Sequence, residues 1–234
     1  MSNLILQGDP PIEVVMRASS RARRLSLRVS RLDGRVTLTC PPGVSQREAD
    51  AFARAKEDWM RKHLDARPAE RRPQIGGTVL FEGREVEIHA GPVRSAKFDQ
   101  GVLWVPDVPD MVGPRLAAFF KLRARARLSA ATSAYAAQIG RGFSRIALRD
   151  TRSRWGSCSS TGTLSYSWRL IMAPPAVLDY VAAHEVAHLA EMNHSAAFWA
   201  EVEALYPGYD APRLWLRNNG EQLHQIRFEA QTAR

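Results

Sequence analysis

Apolar and polar positions alternate over several short stretches in the first hundred residues, then recur at helical spacing. Arg24-Leu25-Ser26-Leu27-Arg28-Val29 alternates with the period of a strand. Asp33-Gly34 follows, then Val36-Thr37-Leu38-Thr39, so residues 12–40 read as strands with a hairpin turning at Asp-Gly. Ser45 with Glu48 three positions on forms a capping box. It predicts a helix over about 46–64, with Phe52, Ala55, Trp59 and Met60 on its apolar side. Residues 66–77, rich in Pro, Arg and Gly, read as a linker. A second hairpin is expected over 79–88, turning at Glu82-Gly83, and a short strand at 102–105.

From residue 112 the pattern becomes helical. Residues 112–139 are Ala-rich, with Leu116, Phe119, Phe120, Leu122, Leu128, Tyr135 and Ile139 as apolar positions and Gly140 and Gly142 at the end. Strands follow at 145–149 and 163–166, with a turn at Gly162. Pro174 and Pro175 open another helix. In it Val177, Val181, His184 and His188 form one stripe, with Leu178, Ala182, Val186 and Leu189 roughly opposite. Such a helix is expected to pack on a core with one side and face a cleft with the other. Ser195 caps a helix bearing Phe198, Trp199, Val202 and Leu205; a last one starts at Asp210 and Pro212. The linker suggests two parts, 1–72 and 73–234.

The 234 residues are 45% hydrophobic and 24% charged, an ordinary globular composition able to bury a core. No run of eighteen apolar residues occurs, so no membrane partner is expected. Met1 to Pro11 lacks a basic n-region, and the two cysteines, Cys40 and Cys158, form no C-x-x-C; a cytoplasmic location is expected. Net charge is +9, from 33 basic and 24 acidic residues. Arg17, Arg21, Arg23, Arg24 and Arg28 make the N-terminal strands the most basic region. That balance favours a polyanion such as nucleic acid, but no nucleic-acid-binding motif accompanies it.

The chemistry centres on His184-Glu185-Val186-Ala187-His188, an H-E-x-x-H sequence, with His194 six positions on. Residues four apart share a helix face, so two imidazoles can hold one Zn²⁺ at about 2.0–2.1 Å per nitrogen. Glu185 leans toward the ion from the flank, placed to take a proton from an activated water. His194 would point away on a straight helix, so the helix must end before it, and Asn193 is the expected place. Three protein ligands leave an open position, as catalytic zinc sites require. A peptide or protein substrate is expected. Arg154, Trp155 and Tyr166, on the hairpin before the metal helix, are candidate substrate contacts. Arg154, Tyr166, Tyr209 and His224 are candidate oxyanion donors.

The stretch from Arg149 to Trp215 resembles the YgjP-like metallopeptidase family, in the wider zincin-like group that includes SprT-like proteins. The resemblance is carried by Arg154-Trp155-Gly156-Ser157-Cys158, by residues 180–189, by Asn193-His194-Ser195 with Phe198-Trp199, and by Arg213-Leu214-Trp215-Leu216. Residues 17–62 are also similar to the family's leading strands and helix. The resemblance implies zinc on His184, His188 and His194, with Glu185 as general base. It implies an α+β, zincin-like fold: a small sheet with a backing helix and a metal-binding helix, preceded by a strand-rich segment. The SprT-like relationship suggests a DNA-associated protease as an alternative; a non-catalytic zinc-containing binding module is another. The glycine of H-x-x-G-x-x-H falls at Glu191 and no Met-turn follows, unlike metzincins. A gluzincin-like arrangement would use Glu201 or Glu203 in place of His194.

Overall fold

The computed structural model describes residues 3–30, 34–65 and 70–230. The chain divides into two units, Met1–Ala69 and Glu70–Arg234. In the first, strands β1 (Leu4–Leu6), β2 (Ile12–Ala18), β3 (Ser26–Val29) and β4 (Val36–Cys40) form one sheet in the order β1-β2-β4-β3. β3 runs antiparallel to β4 with Leu27 opposite Leu38, while β2 pairs with β4 in parallel. The two-residue period sends Val14 and Met16 of β2, and Val36, Leu38 and Cys40 of β4, to the core face. The expected hairpin is present; of its turn, Asp33 lies outside the described residues. β1 was not expected, because three residues are too few to show a period.

The capping box is formed: Ser45 N donates to Glu48 Oε2 at 2.9 Å and Glu48 N to Ser45 Oγ at 3.3 Å. The single helix expected over 46–64 is instead two, α1 (Gln46–Ala55) and α2 (Glu57–Asp65). At Lys56 the backbone N–H bonds to Ala53 O, three residues back, and the turn breaks. The offset changes the buried set. Ala49, Ala53 and Met60 face the core, whereas Ala55 and Trp59, expected on the apolar side, are exposed.

In the second unit, β5 (Thr78–Phe81), β6 (Arg84–Ala90), β7 (Lys97–Asp99) and β8 (Val102–Val105) form a sheet in the order β5-β6-β8-β7. Glu82 and Gly83 both have positive φ, 49° and 80°, as a two-residue type I′ turn needs. This turn is pressed against residues 171–174. Glu82 N and Gly83 N donate to Ile171 O and Met172 O, and a Cβ on Gly83 would lie 2.8 Å from Pro174 Cα. The expected linker is a linker only in part. Residues 66–69 lie outside the described residues, but Arg71 N donates to Gln225 O, Arg227 N donates to Arg71 O, and the Arg71 side chain pairs with Glu85. Pro and Gly there mark an irregular but well-bonded segment.

Helix α3 (Val112–Gln138) buries Leu116, Phe120, Ala124, Leu128, Thr132 and Ala136, a four-residue repeat. Leu122, one of the apolar positions read from sequence, is 68% exposed. Strands β9 (Arg145–Arg149), β10 (Gly156–Cys158) and β11 (Thr163–Ser167) form a small sheet in the order β10-β11-β9, leaving β10 and β9 as its edges. A buried 3₁₀ turn, Trp168–Met172, leads into α4 (Pro175–Ala187), followed by α5 (Ala196–Leu205) and α6 (Asp210–Gln225). α4 packs against α3, α5, α6 and β10. It was expected to be apolar on one side only. Enclosed on so many sides, it is buried almost throughout from Val177 to Ala187, as a helix apolar all round should be. The fold is α+β, with the small sheet, backing helix α3 and the H-E-x-x-H helix α4 as expected. Among the described residues no helix is long and apolar enough to cross a membrane.

Candidate metal centre

α4 ends where its chemistry is densest. Ala187 is its last residue and His188 its C-cap, with φ −66° and ψ −16°. Ala190 N and Glu191 N both donate to Ala187 O, so the chain reverses within one turn. The helix therefore stops earlier than the expected Asn193, which has no positive φ. The reversal returns His194 to the face of His184 and His188. The ligand atoms of all three imidazoles lie within 4.8 Å of one another, and among the described residues no other cluster of His, Cys, Asp or Glu could hold a metal. Glu201 and Glu203 do not join it; Glu203 Oε1 accepts from Gly208 N.

The donor set fits a tetrahedral cation. His184 Nε2 and His194 Nε2 are 3.2 Å apart. Two nitrogens at zinc–nitrogen bond length on a tetrahedral ion stand about 3.3 Å apart. His188 Nδ1 is 3.0 Å from Glu191 O. A carbonyl only accepts, so Nδ1 carries the proton and Nε2 keeps its lone pair for a metal. His184 Nδ1 is buried without a partner. Burial and the neighbouring imidazoles push His184 down to about 3, and burial lowers His188 as well. Both are therefore neutral, the form a metal ligand requires.

Phe198, on α5, lies beneath the cluster. Its ring stacks on His188 at 4.4 Å and meets His184 and His194 edge-on at 4.9 and 4.7 Å. Ser195 Oγ accepts from Phe198 N and so anchors this turn of α5 directly after His194. Sequence placed Phe198 on the helix after Ser195 and among the residues that carry the family resemblance, without a place in the site.

Glu185 is 5% exposed. Burial raises its pKa to about 8, against a smaller opposing pull from Arg154. A Cβ on Gly156 would lie 2.4 Å from Glu185 Oε1, so β10 passes the carboxyl where only glycine fits. Gly156, Ser157 and Cys158 form one wall of a cleft of about 260 Å³, with the three imidazoles, Glu185 and Met192 around the rest. Because β10 is an edge strand, its outer side is open toward this cleft.

The other candidates separate. Arg154 is exposed and acts electrostatically on Glu185. Trp155 does not line the cleft. Its ring lies 4.7 Å from that of His224, and a Cβ on Gly220 would come within 2.9 Å of it, so it wedges the hairpin against α6. Tyr166 is 1% exposed, and its hydroxyl shares a 3.0 Å hydrogen bond with Thr132 on α3. The strand period turns it inward from β11, so it is a core residue and not a substrate contact. His224 is buried, with a pKa lowered to about 4 by burial and by Arg169. Tyr209 stacks between Tyr180 and Trp199.

Residues 23–219 match the family model described as YgjP-like, metallopeptidase domain. No curated protein matches the chain. Among solved structures it is similar to the metallopeptidase zymogen abylysin of Pyrococcus abyssi, at 21% identity over 38% of this chain and 93% of that one, with a TM-score of 0.35. It is also similar to the zymogen jannalysin of Methanocaldococcus jannaschii, at 17% identity over 41% of this chain and 96% of that one, with the same TM-score. The family match spans most of the sequence and includes His184, Glu185, His188 and His194, and the chain belongs to the YgjP-like metallopeptidase family.

Proposed function

We propose that the cleft hydrolyses peptide bonds with one zinc ion held by His184, His188 and His194, and with Glu185 as general base. The observation that carries this is the convergence of three imidazoles beside a buried carboxyl in an open cleft. When bound, the ion supplies Lewis acidity, polarising a carbonyl and making water nucleophilic near neutral pH. Glu185 accepts a proton from the attacking water through its carboxylate and passes it to the leaving amine. A nearby dication favours that carboxylate form despite burial. Gly156 makes room for the Glu185 carboxyl beside β10, in the space that any Cβ there would fill. The outer side of β10 pairs with an extended peptide by main-chain hydrogen bonds, which suits Ser157 and Cys158 lining the same cleft. Arg154 is the cation acting on Glu185 and the remaining oxyanion candidate from the hairpin.

The test measures metal content and peptide hydrolysis together in wild type and Glu185→Gln. One zinc in both, with cleavage by wild type only, supports the reading; equal cleavage by both overturns it. A second reading, stimulation of the same activity by DNA, rests on five exposed arginines, Arg17, Arg21, Arg23, Arg24 and Arg28. It requires hydrolysis that rises with DNA and binding that weakens steeply with salt.

A further inference from the structure

A groove larger than the metal cleft, about 490 Å³, runs between α3 and the end of β9. Its walls carry Lys121 and Arg125 from α3, Arg149 from β9, and the apolar side chains Leu122, Leu148 and Trp168. The one carboxylate there, Asp150, is already held by Arg169 at 2.6 Å. Lys121, Arg125 and Arg149 have no carboxylate partner among the described residues. A second hollow of about 200 Å³ shares Leu122 and extends the groove toward Arg115, Ala118 and Phe119. From the N-cap Met111 along α3, Met111, Arg115, Ala118, Leu122 and Arg125 fall at i, i+4, i+7, i+11 and i+14, which is one helix face. On that face Leu122 is 68% and Met111 39% exposed. Arg115 donates to Arg94 O at 3.0 Å and Lys121 Nζ lies over the Trp168 ring at 5.6 Å, so these cations are held without a carboxylate to neutralise them. An ordinary solvated helix face does not alternate large apolar side chains with cations that lack carboxylate partners in this way.

β9 adds a second feature. It is the far edge of the three-stranded sheet, pairing only with β11, and among the described residues its outer side has no backbone partner. A free edge offers main-chain donors and acceptors to an extended chain. Cations beside apolar side chains call for an occupant with both carboxylates and apolar groups. A nucleic acid would need cations spaced along a backbone track and flat rings free to stack on bases. Trp168 is buried, and the three cations come from two elements, Lys121 and Arg125 from α3 and Arg149 from β9, with Leu122 and Leu148 among them.

We infer that this groove is a docking site for an extended acidic segment of a protein substrate, remote from the metal cleft and bearing alternating carboxylate and apolar side chains. β10 and β9 are the two edges of one three-stranded sheet, so the docking edge and the cleft edge are about 10 Å apart across it. One substrate can reach both. The inference rests on the peptidase reading for its occupant, and its test separates the two.

The probe is a fluorescein-labelled twelve-residue peptide alternating Glu and Leu, followed by anisotropy in the presence of wild-type protein. The variant Lys121→Glu/Arg125→Glu/Arg149→Glu reverses the groove. The variant Arg17→Glu/Arg24→Glu/Arg28→Glu makes the same change of net charge outside it. Unchanged far-UV circular dichroism and melting temperature show that each exposed-site variant is folded. Saturable binding is expected. It should weaken at least tenfold in the groove variant, a few-fold in Leu122→Ser, and less than twofold in the outside variant. Equal loss in both charge variants, or none in the groove variant, overturns the docking site. A single-stranded oligonucleotide of equal charge that competes with the peptide at lower concentration overturns the choice of occupant. Cleavage of a short neutral peptide should be the same in wild type and the groove variant. If wild type cleaves nothing while the acidic peptide still binds as described, the peptidase reading fails and the docking site stands.

Discussion

Arg169 and Glu185 are withdrawn from water to nearly the same degree, 6% and 5% exposed, in the same unit of the chain. Arg169 is answered on every side. Its guanidinium donates to both Asp150 oxygens at 2.6 and 3.2 Å, and to the Leu223 and Ile226 carbonyls at 2.8 and 2.9 Å. The rings of Trp168 and Phe228 cover its faces. Around Glu185 the polar groups are under-supplied. Its pKa is raised to about 8, and beside it His184 is depressed to about 3 with an unpartnered Nδ1. A satisfied buried charge fastens segments distant in sequence. Groups left short of partners cost stability and are ready for a ligand that supplies what is missing.

The largest effects should separate these roles. Glu185→Gln is expected to lower kcat/KM by about 10²–10⁴-fold while one zinc stays bound, read by steady-state kinetics with metal analysis. Arg169→Met should do the opposite. It leaves Asp150 and two carbonyls unmatched and should cost about 3–5 kcal/mol in denaturant unfolding, with kcat per folded molecule preserved. A loss of zinc in Glu185→Gln, or of activity per folded molecule in Arg169→Met, would break the contrast.

Gly156→Ala tests the carboxyl's placement. The added methyl would overlap Glu185 Oε1, so kcat should fall by about 10–100-fold with zinc retained. An unchanged kcat would remove Gly156 from the site's machinery.

Two pH experiments are finer. Glu185 has its folded pKa raised from 4.5 to about 8, so the metal-free native state holds more protons than the unfolded chain across that window. Its stability contribution is present below pH 4.5 and is lost as pH rises toward 8. In the metal-free protein, Glu185→Gln should therefore melt higher than wild type, by about 1–3 kcal/mol at neutral pH, the gap growing from pH 5 to 8. His224 is shifted the other way, from 6.5 to about 4, and so favours the native state less as pH falls through that interval. His184 adds to the same slope. His224→Asn should remove part of it, up to about 2–3 kcal/mol between pH 6.5 and 4, as followed by melting temperature.

Much of the architecture was legible because its causes are local. The Ser45–Glu48 cap, the Glu82-Gly83 turn and the long repeat of α3 each depend on residues a few positions apart. The H-E-x-x-H pair was legible for the same reason, since one helical turn sets its geometry. The return of His194 was anticipated, but not the hinge. Repeated bonding to Ala187 O ends α4 well before Asn193, which no local residue preference announces. Trp155 and Tyr166 were misassigned because strand alternation gives two faces without saying which one meets α3, α6 or the cleft.

Residue order alone determined the one-turn spacing of His184 and His188, the glutamate beside them, and the short-range caps and turns, since these follow from covalent neighbours and helix period. Only the tertiary structure decided that α4 is enclosed on nearly all sides, that Phe198 underlies the imidazoles and that Gly156 abuts Glu185. It alone decided that the carboxyl titrates far from its ordinary value. Desolvation and close approach depend on which distant segments cover a group, and chains of quite different sequence could supply that cover.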